Sequence, residues 1–103
     1  MLTFQFTAEG PTVILTFNGR LDSVAVIKIN EIIENEPLMK NRAAGQQIVF
    51  DLHGVDYISS AFIRVCISTA RKAGNGNFSI ANCQPFVKKI FKISGLDELF
   101  HIN

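Results

Sequence analysis

Residues 48–72 read IVFDLHGVDYISSAFIRVCISTARK, and the spacing of their apolar side chains changes half-way along. The first five residues form an apolar run that is interrupted only at Asp51, which is typical of a strand covered on both faces in a parallel sheet. From Ala61 onward the apolar residues recur at the spacing of a helix. Three polar residues share the opposite face of that helix: Arg64, Ser68 and Arg71. The segment is therefore predicted to be a buried strand, a short loop and a helix.

Two adjacent serines, Ser59 and Ser60, lie where the strand pattern gives way to the helix pattern. The first N–H groups of a helix have no partner within the helix, and the positive end of the helix dipole lies there. Serine is a favoured N-cap residue, so helix capping alone would explain either one. If the chain has a functional site, we expect it at these two hydroxyls.

The residues before this segment predict two strands and a helix. Residues 3–6 alternate weakly and residues 12–17, TVILTF, form a second strand-like run, so a hairpin through residues 9–11 is expected. Asn18-Gly19 predicts a turn. The helix that follows has Asp22 or Ser23 as its N-cap and ends before Pro37.

The residues after it predict a further strand and a further helix. The central helix should stop at Gly74, and residues 78–81, FSIA, read as a short strand. Pro85 suits the first position of another helix, in which Phe86, Ile90 and Ile93 are spaced for one face, joined by Val87 and Phe91. Gly95 should end that helix, and residues 96–100 predict one more turn packed inward.

The order of these elements predicts the fold class. Strand, strand, helix, strand, helix, strand, helix implies an α/β protein with a small mixed sheet of about four strands, mostly parallel, packed with helices. We expect residues 1–103 to form a single domain, because a chain of this length supports one hydrophobic core.

Composition and charge exclude several classes of protein. The net charge is +1 and the basic residues are dispersed, which argues against nucleic acid as the main partner. The longest aliphatic run, residues 24–27, is too short to span a bilayer, and the N-terminus has no secretory signal pattern. Cys66 and Cys83 have no metal or redox spacing. We expect a cytoplasmic protein with reduced thiols and no direct membrane insertion.

Catalytic and cofactor signals are poor. Ser60, His53 and Asp51 could be drawn together as a hydrolase triad, but no nucleophile-elbow pattern supports that reading. The chain has no phosphate-binding glycine loop and no metal-ligand cluster, so we predict neither a cofactor nor a metal. A basic run on the last predicted helix is most simply a solvated face, with the edge of a protein interface as the alternative. Its members are Lys88, Lys89 and Lys92.

Three segments carry a resemblance to a known family. They are residues 19–22 (GRLD), 49–58 (VFDLHGVDYI) and 91–96 (FKISGL), which together resemble the turn, the central strand and loop, and the closing helix of STAS domains, named for sulfate transporters and anti-sigma factor antagonists. The resemblance runs from about the first strand to Ile102. It implies a small mixed sheet packed with helices and is closest in size to the free-standing antagonists.

The resemblance also implies a phosphorylation site. In the antagonists, a motif Asp-Ser-Ser-Gly follows the central strand, and an anti-sigma factor that is also a serine kinase phosphorylates the first serine. Here Ser60 falls on the acceptor position, Ser59 replaces the aspartate and Phe62 replaces the glycine. Phe62 could block a kinase, anchor a different partner or pack in the core. The implied partner-binding residues, which include the acidic position ahead of the first long helix, are Asp22, Ser59, Ser60, Ala61, Phe62 and Arg64.

Two functions follow from this resemblance. The first is a non-enzymatic antagonist-like module that binds an anti-sigma factor and is released by phosphorylation of Ser60. The second is a constitutive STAS subunit of a membrane transport complex for lipids or anions, which the altered motif favours. A small hydrolase is a third and weaker alternative.

Overall fold

The computed structural model describes residues 3–9, 12–36, 46–74, 76–96 and 100–102, with backbone only for 3–9 and His101. Eight elements occur in these residues, in the order β1 (Thr3–Glu9), β2 (Thr12–Leu21), α1 (Ser23–Asn35), β3 (Gln47–Ile58), α2 (Ser60–Ala73), β4 (Phe78–Ala81), α3 (Pro85–Ile93) and β5 (His101–Ile102).

The strands form one mixed sheet in the order β1-β2-β3-β4-β5. The β1–β2 pair is antiparallel, as the hairpin prediction requires, and the other three pairs are parallel. The predicted α/β class and mostly parallel sheet are confirmed. The strand count is five rather than about four, because β5 has only two residues and is too short to produce a periodic pattern.

The core lies on one face of this sheet. In β2 and β3, buried residues alternate with partly exposed ones, so one face of each strand packs against the helices. A line of aromatic rings crosses this face from α2 to α3, with neighbouring centroids 4.9–6.1 Å apart, in the order Phe62, Phe17, Phe50, Phe78, Phe100 and Phe91. Each such ring pair adds about 0.5–1.5 kcal/mol beyond the burial of its area. The rings therefore join β2, β3, β4 and two helices into one core.

Two local predictions at the strand ends were wrong. Asn18-Gly19 is not a turn, because β2 continues through it to Leu21 with register shifts on both sides of the pair. Gly19 adopts φ 99°, a conformation that glycine permits and that the irregular strand uses here. The predicted loop after residue 52 is also strand, since β3 continues to Ile58. Both strands consequently end side by side, with Leu21 paired to Ile58.

The helix boundaries agree with the sequence signals where the structure describes them. Asp22 caps α1, accepting a 2.9 Å hydrogen bond from the Ala25 N–H. Helix α2 ends at Gly74, and α3 begins at Pro85 and ends before Gly95. The predicted limit at Pro37 and the predicted turn over residues 97–99 lie outside the described residues.

The structure confirms only part of the predicted apolar face of α3. The structure buries Val87 and Phe91, whereas Phe86 and Ile93 are exposed. The nine-residue helix carries apolar side chains on two faces, so their spacing alone could not show which face the sheet would cover. Lys88, Lys89 and Lys92 are all exposed, in agreement with a solvated face.

Candidate functional site

The candidate site lies at the edge of the sheet where β2 and β3 end. The Ser59 N–H donates a 3.0 Å hydrogen bond to the Leu21 carbonyl and thereby joins the two strand ends. Helix α1 begins at Ser23 and α2 begins at Ser60, so two helix N-termini follow directly from neighbouring strands. Free N–H groups and the positive ends of two helix dipoles therefore lie near this edge.

The two serines occupy different positions. Ser59 is the N-cap of α2, and its Oγ accepts a 3.3 Å hydrogen bond from the Phe62 N–H. Ser60 is the first residue of the helix and its side chain is exposed. Among the described residues, the Ser60 hydroxyl has no hydrogen-bond partner. Ser59 therefore stabilises the helix start, and Ser60 presents a free hydroxyl to the surface.

Asp22 lies next to this pair, because it follows the Leu21 carbonyl that binds Ser59. Its Oδ1 caps α1 and its Oδ2 lies 3.9 Å from the Arg20 Nε. The Arg20 guanidinium also lies 3.9 Å from the centre of the Tyr57 ring. Both charged side chains are exposed, so their ion pair stabilises the fold by at most about 1 kcal/mol. The interpretation of Asp22 as a helix cap is confirmed.

Phe62 does not lie on the surface. Its side chain has 0% exposure, and its ring packs 5.3 Å from Phe17 and 6.0 Å from Phe50. The burial supports core packing and contradicts its inclusion among the partner-contacting residues. Because the Phe62 ring lies between α2 and the sheet, it does not cover the surface around Ser60. The bulky residue at the motif's glycine position is explained by its helical phase, which turns it toward the sheet.

The other two predicted contact residues, Ala61 and Arg64, border a shallow groove between α1 and α2. Four further residues line this groove: Val26 and Asn30 from α1, and Val65 and Ser68 from α2. Ala61 is partly buried and Arg64 is exposed. The structure thus brings Asp22, Ser59, Ser60, Ala61 and Arg64 to one region, with an open groove beside them.

Sequence reasoning missed an exposed apolar pair on α1. Val24 and Ile27, in the first half of α1, are 75% and 65% exposed. The buried stripe of α1 consists of Val26, Ile29 and Ile33. Val24 and Ile27 therefore do not pack in the core. The signal was present in residues 24–27, because four consecutive apolar residues exceed what one buried stripe of a helix requires.

The hydrolase triad does not form. The Asp51 Oδ1 accepts hydrogen bonds from the His53 backbone N–H at 3.0 Å and from the Asn82 Nδ2 at 3.3 Å. His53 and Ser60 are separated by the rest of β3, a distance of about 20 Å at 3.3 Å per strand residue. The imidazole therefore cannot activate the Ser60 hydroxyl.

The site has no metal-binding cluster among the described residues. The described residues contain no group of three or more His, Cys, Asp or Glu side chains arranged to hold a metal. Within the same part of the chain, no helix has both the length and the apolar character needed to cross a membrane. The two cysteines are free thiols, Cys66 buried and Cys83 half-buried.

A STAS domain model matches residues 3–103. The chain belongs to the STAS domain family. A STAS-domain containing protein of Pseudomonas aeruginosa is 29% identical over 99 residues, which cover 94% of this chain and 93% of that protein. BtrV of Bordetella bronchiseptica, which carries the name of an anti-sigma factor antagonist, is 34% identical over 59 residues, covering 55% of this chain and 51% of BtrV.

Solved structures agree with this STAS fold. SpoIIAA, an anti-sigma factor antagonist, superposes in its unphosphorylated form with a TM-score of 0.77 at 22% identity, covering 98% of this chain and 88% of that one. Its phosphorylated form from Bacillus superposes with a TM-score of 0.70 at 21% identity, covering 98% and 91%. At these identities, the structural likeness shows the shared fold.

Proposed function

We propose that this STAS domain is a non-enzymatic binding module of the anti-sigma factor antagonist kind, which acts in the cytoplasm and is controlled by phosphorylation of Ser60. The observation that carries the proposal is the difference between the environments of the two serines. Ser59 caps α2, and Ser60 is exposed with a free hydroxyl at the family's acceptor position. The name of BtrV and the phosphorylated form of SpoIIAA support the same function.

The partner in this proposal is an anti-sigma factor that is also a serine kinase. The kinase would bind a nucleoside triphosphate and transfer its γ-phosphoryl group to the Ser60 Oγ. The new Oγ–P bond replaces the bond between the γ-phosphorus and the leaving nucleoside diphosphate, and the hydroxyl proton passes to a base on the kinase. This chain supplies only the nucleophile and its position.

The binding surface in this proposal consists of polar and apolar parts. Ser60, Ala61 and Arg64 form the part on α2, and exposed Val24 and Ile27 form an apolar part on the first half of α1. Exposed apolar side chains beside a polar rim are typical of protein interfaces. Phe62 does not belong to this surface, since it lies in the core.

Release follows from electrostatics. A phosphate adds about −1.5 to −2 charges at Ser60. The start of α2 tolerates this charge, because its first turn contains no acidic residue and its N–H groups favour anions. A partner with an apolar or acidic surface does not tolerate it, since opposed like charges cost several kcal/mol and each 1.4 kcal/mol is about a tenfold loss of affinity.

The test compares the two serines directly. Tagged wild-type protein, Ser60→Ala and Ser59→Ala are purified from the native cell, and phosphate is mapped by mass spectrometry. We expect phosphate at position 60 in wild type and in Ser59→Ala, and none in Ser60→Ala. Equal phosphate incorporation in wild type and Ser60→Ala would refute the assignment of the acceptor.

A second candidate function is a constitutive subunit of a membrane transport complex. Ser59 stands where the antagonist motif has aspartate, and the loss of this charge beside Ser60 favours a chain that is not phosphorylated. That function predicts stable co-purification with a transporter ATPase in equal amount before and after phosphatase treatment. Loss or gain of the ATPase on phosphatase treatment would exclude it.

A further inference from the structure

Arg64 follows Ser60 by one turn of helix α2. Side chains four residues apart on a helix are neighbours, with Cβ atoms about 5–6 Å apart. Both side chains are exposed. An anion placed four residues before a cation is also the more favourable order along a helix. A negative charge on Ser60 would therefore have a cation within reach on its own helix.

Arg64 is available for such a contact. Within the described part of the chain, its side chain has no ion pair and no hydrogen bond. The other cation near this edge, Arg20, is already engaged by the Asp22 carboxylate and the Tyr57 ring. Asp22 is the nearby acid, and it would repel a phosphate on Ser60 rather than bind it. Arg64 is consequently the side chain placed to offset the new charge.

We propose that Arg64 binds the phosphate of phosphorylated Ser60 and that this pairing changes the charge of the groove between α1 and α2. This inference rests on the proposed function of Ser60. A guanidinium group binds phosphate through two parallel hydrogen bonds, which a lysine ammonium cannot reproduce. Because Arg64 also lines the groove with Asn30 and Ser68, pairing withdraws a positive charge from that surface. A partner carboxylate that contacted Arg64 would lose its cation on phosphorylation.

The test places phosphoserine at position 60 during translation, so that no kinase is needed. The second pKa of the phosphate is measured by ³¹P NMR in otherwise wild-type protein, in Arg64→Gln and in the control Arg71→Gln. Arg71 is a second exposed arginine, two turns further along α2. We expect Arg64→Gln to raise the pKa by about half a unit, because a paired cation favours the dianion, and Arg71→Gln to leave it unchanged.

A second readout examines the groove itself. Amide resonances of Asn30 and Ser68 should shift when phosphoserine replaces Ser60, and the shift should be smaller in Arg64→Gln. Equal phosphate pKa values in wild type and Arg64→Gln would overturn the inference, as would equal effects of Arg64→Gln and Arg71→Gln. Such a result would leave the proposed function intact, whereas absence of phosphate at Ser60 in cells would refute the proposed function and with it this inference.

Discussion

Ser59 and Ser60 have the same side chain and differ by one position at the start of α2, yet the structure gives them different environments. The N-cap residue points its hydroxyl back at the free N–H groups, whereas the first helical residue points outward. The sequence predicted that a functional site, if the chain has one, lies at this pair. It could not show which serine caps the helix, because either residue can serve as N-cap and the choice depends on where β3 ends.

The two serines should therefore differ in their effects on stability. Ser59→Ala removes the hydrogen bond to the Phe62 N–H and should lower the free energy of unfolding by about 1 kcal/mol. Ser60→Ala removes an exposed hydroxyl and should change it by less than about 0.5 kcal/mol. Urea unfolding followed by circular dichroism measures both. Equal losses in the two variants would contradict the assignment of Ser59 as the cap.

Phe62 is a core residue, and its substitution should show this. Phe62→Ala should lower the free energy of unfolding by about 3–5 kcal/mol, because it leaves a cavity beside Phe17 and Phe50. Phe86→Ala is the matched control, since the Phe86 side chain is 62% exposed and should contribute less than about 1 kcal/mol. Chemical unfolding of both variants measures the difference. A loss for Phe62→Ala as small as that for Phe86→Ala would refute its burial.

At the level of elements, long strands were predicted less well than helices. The helix stops at Gly74 and Gly95 and the helix start at Pro85 depend on local chemistry, so single residues predict them. The continuation of β2 past Asn18-Gly19 depends on pairing with β3, which lies far away in the sequence. The local signal at Asn18-Gly19 therefore predicted a turn. In the structure, long-range pairing with β3, which the sequence does not display, keeps these residues in the strand.

The irregular pairing of β2 and β3 can be tested at Gly54, which is paired with Asn18. A Cβ atom at Gly54 would overlap the Asn18 side chain, with its Cγ only 2.7 Å away. Gly54→Ala should therefore lower the free energy of unfolding by about 1–3 kcal/mol, and much less in an Asn18→Ala background where the space is free. A double-mutant cycle by urea unfolding measures this coupling. Additive effects of the two substitutions would contradict the close approach of these residues.

For the whole molecule, the sheet order explains how the site is assembled. Parallel strands end at the same edge, so the ends of β2 and β3 bring Asp22 and Ser59 together although they are distant in sequence. The family resemblance had included both residues in one predicted partner-binding set, which periodicity alone could not do. The buried core includes residues from β2, β3, β4 and all three helices, and we propose that the chain folds as a single domain on this basis.

The stability of the whole molecule should fall at alkaline pH. Burial raises the pKa of the Cys66 thiol well above its usual value and raises the pKa of Cys83 to about 11. The unfolded chain releases these protons at lower pH than the folded chain, near the ordinary thiol pKa of 9.0. The associated stability is therefore fully present below pH 9 and is lost progressively as the pH rises toward 11.

Cys83→Ser isolates one of these thiols. Urea unfolding midpoints of wild type and Cys83→Ser, measured at several values from neutral pH to pH 11, should show a smaller alkaline decline in the variant. Because the charge of Cys83 also raises the pKa of Cys66, the difference between the two proteins reports Cys83 together with its effect on Cys66. An equal alkaline decline of the unfolding midpoint in wild type and Cys83→Ser would contradict the raised pKa of this thiol in the folded state.

We propose that the surface around Ser60 binds a protein partner and releases it on phosphorylation. The most direct measurement is a quantitative pull-down from the native cell with protein that carries either serine or phosphoserine at position 60, followed by identification of the bound proteins. We expect a kinase-like anti-sigma factor that is enriched on the serine form and lost from the phosphoserine form. Binding of the same proteins in equal amounts by both forms would contradict it.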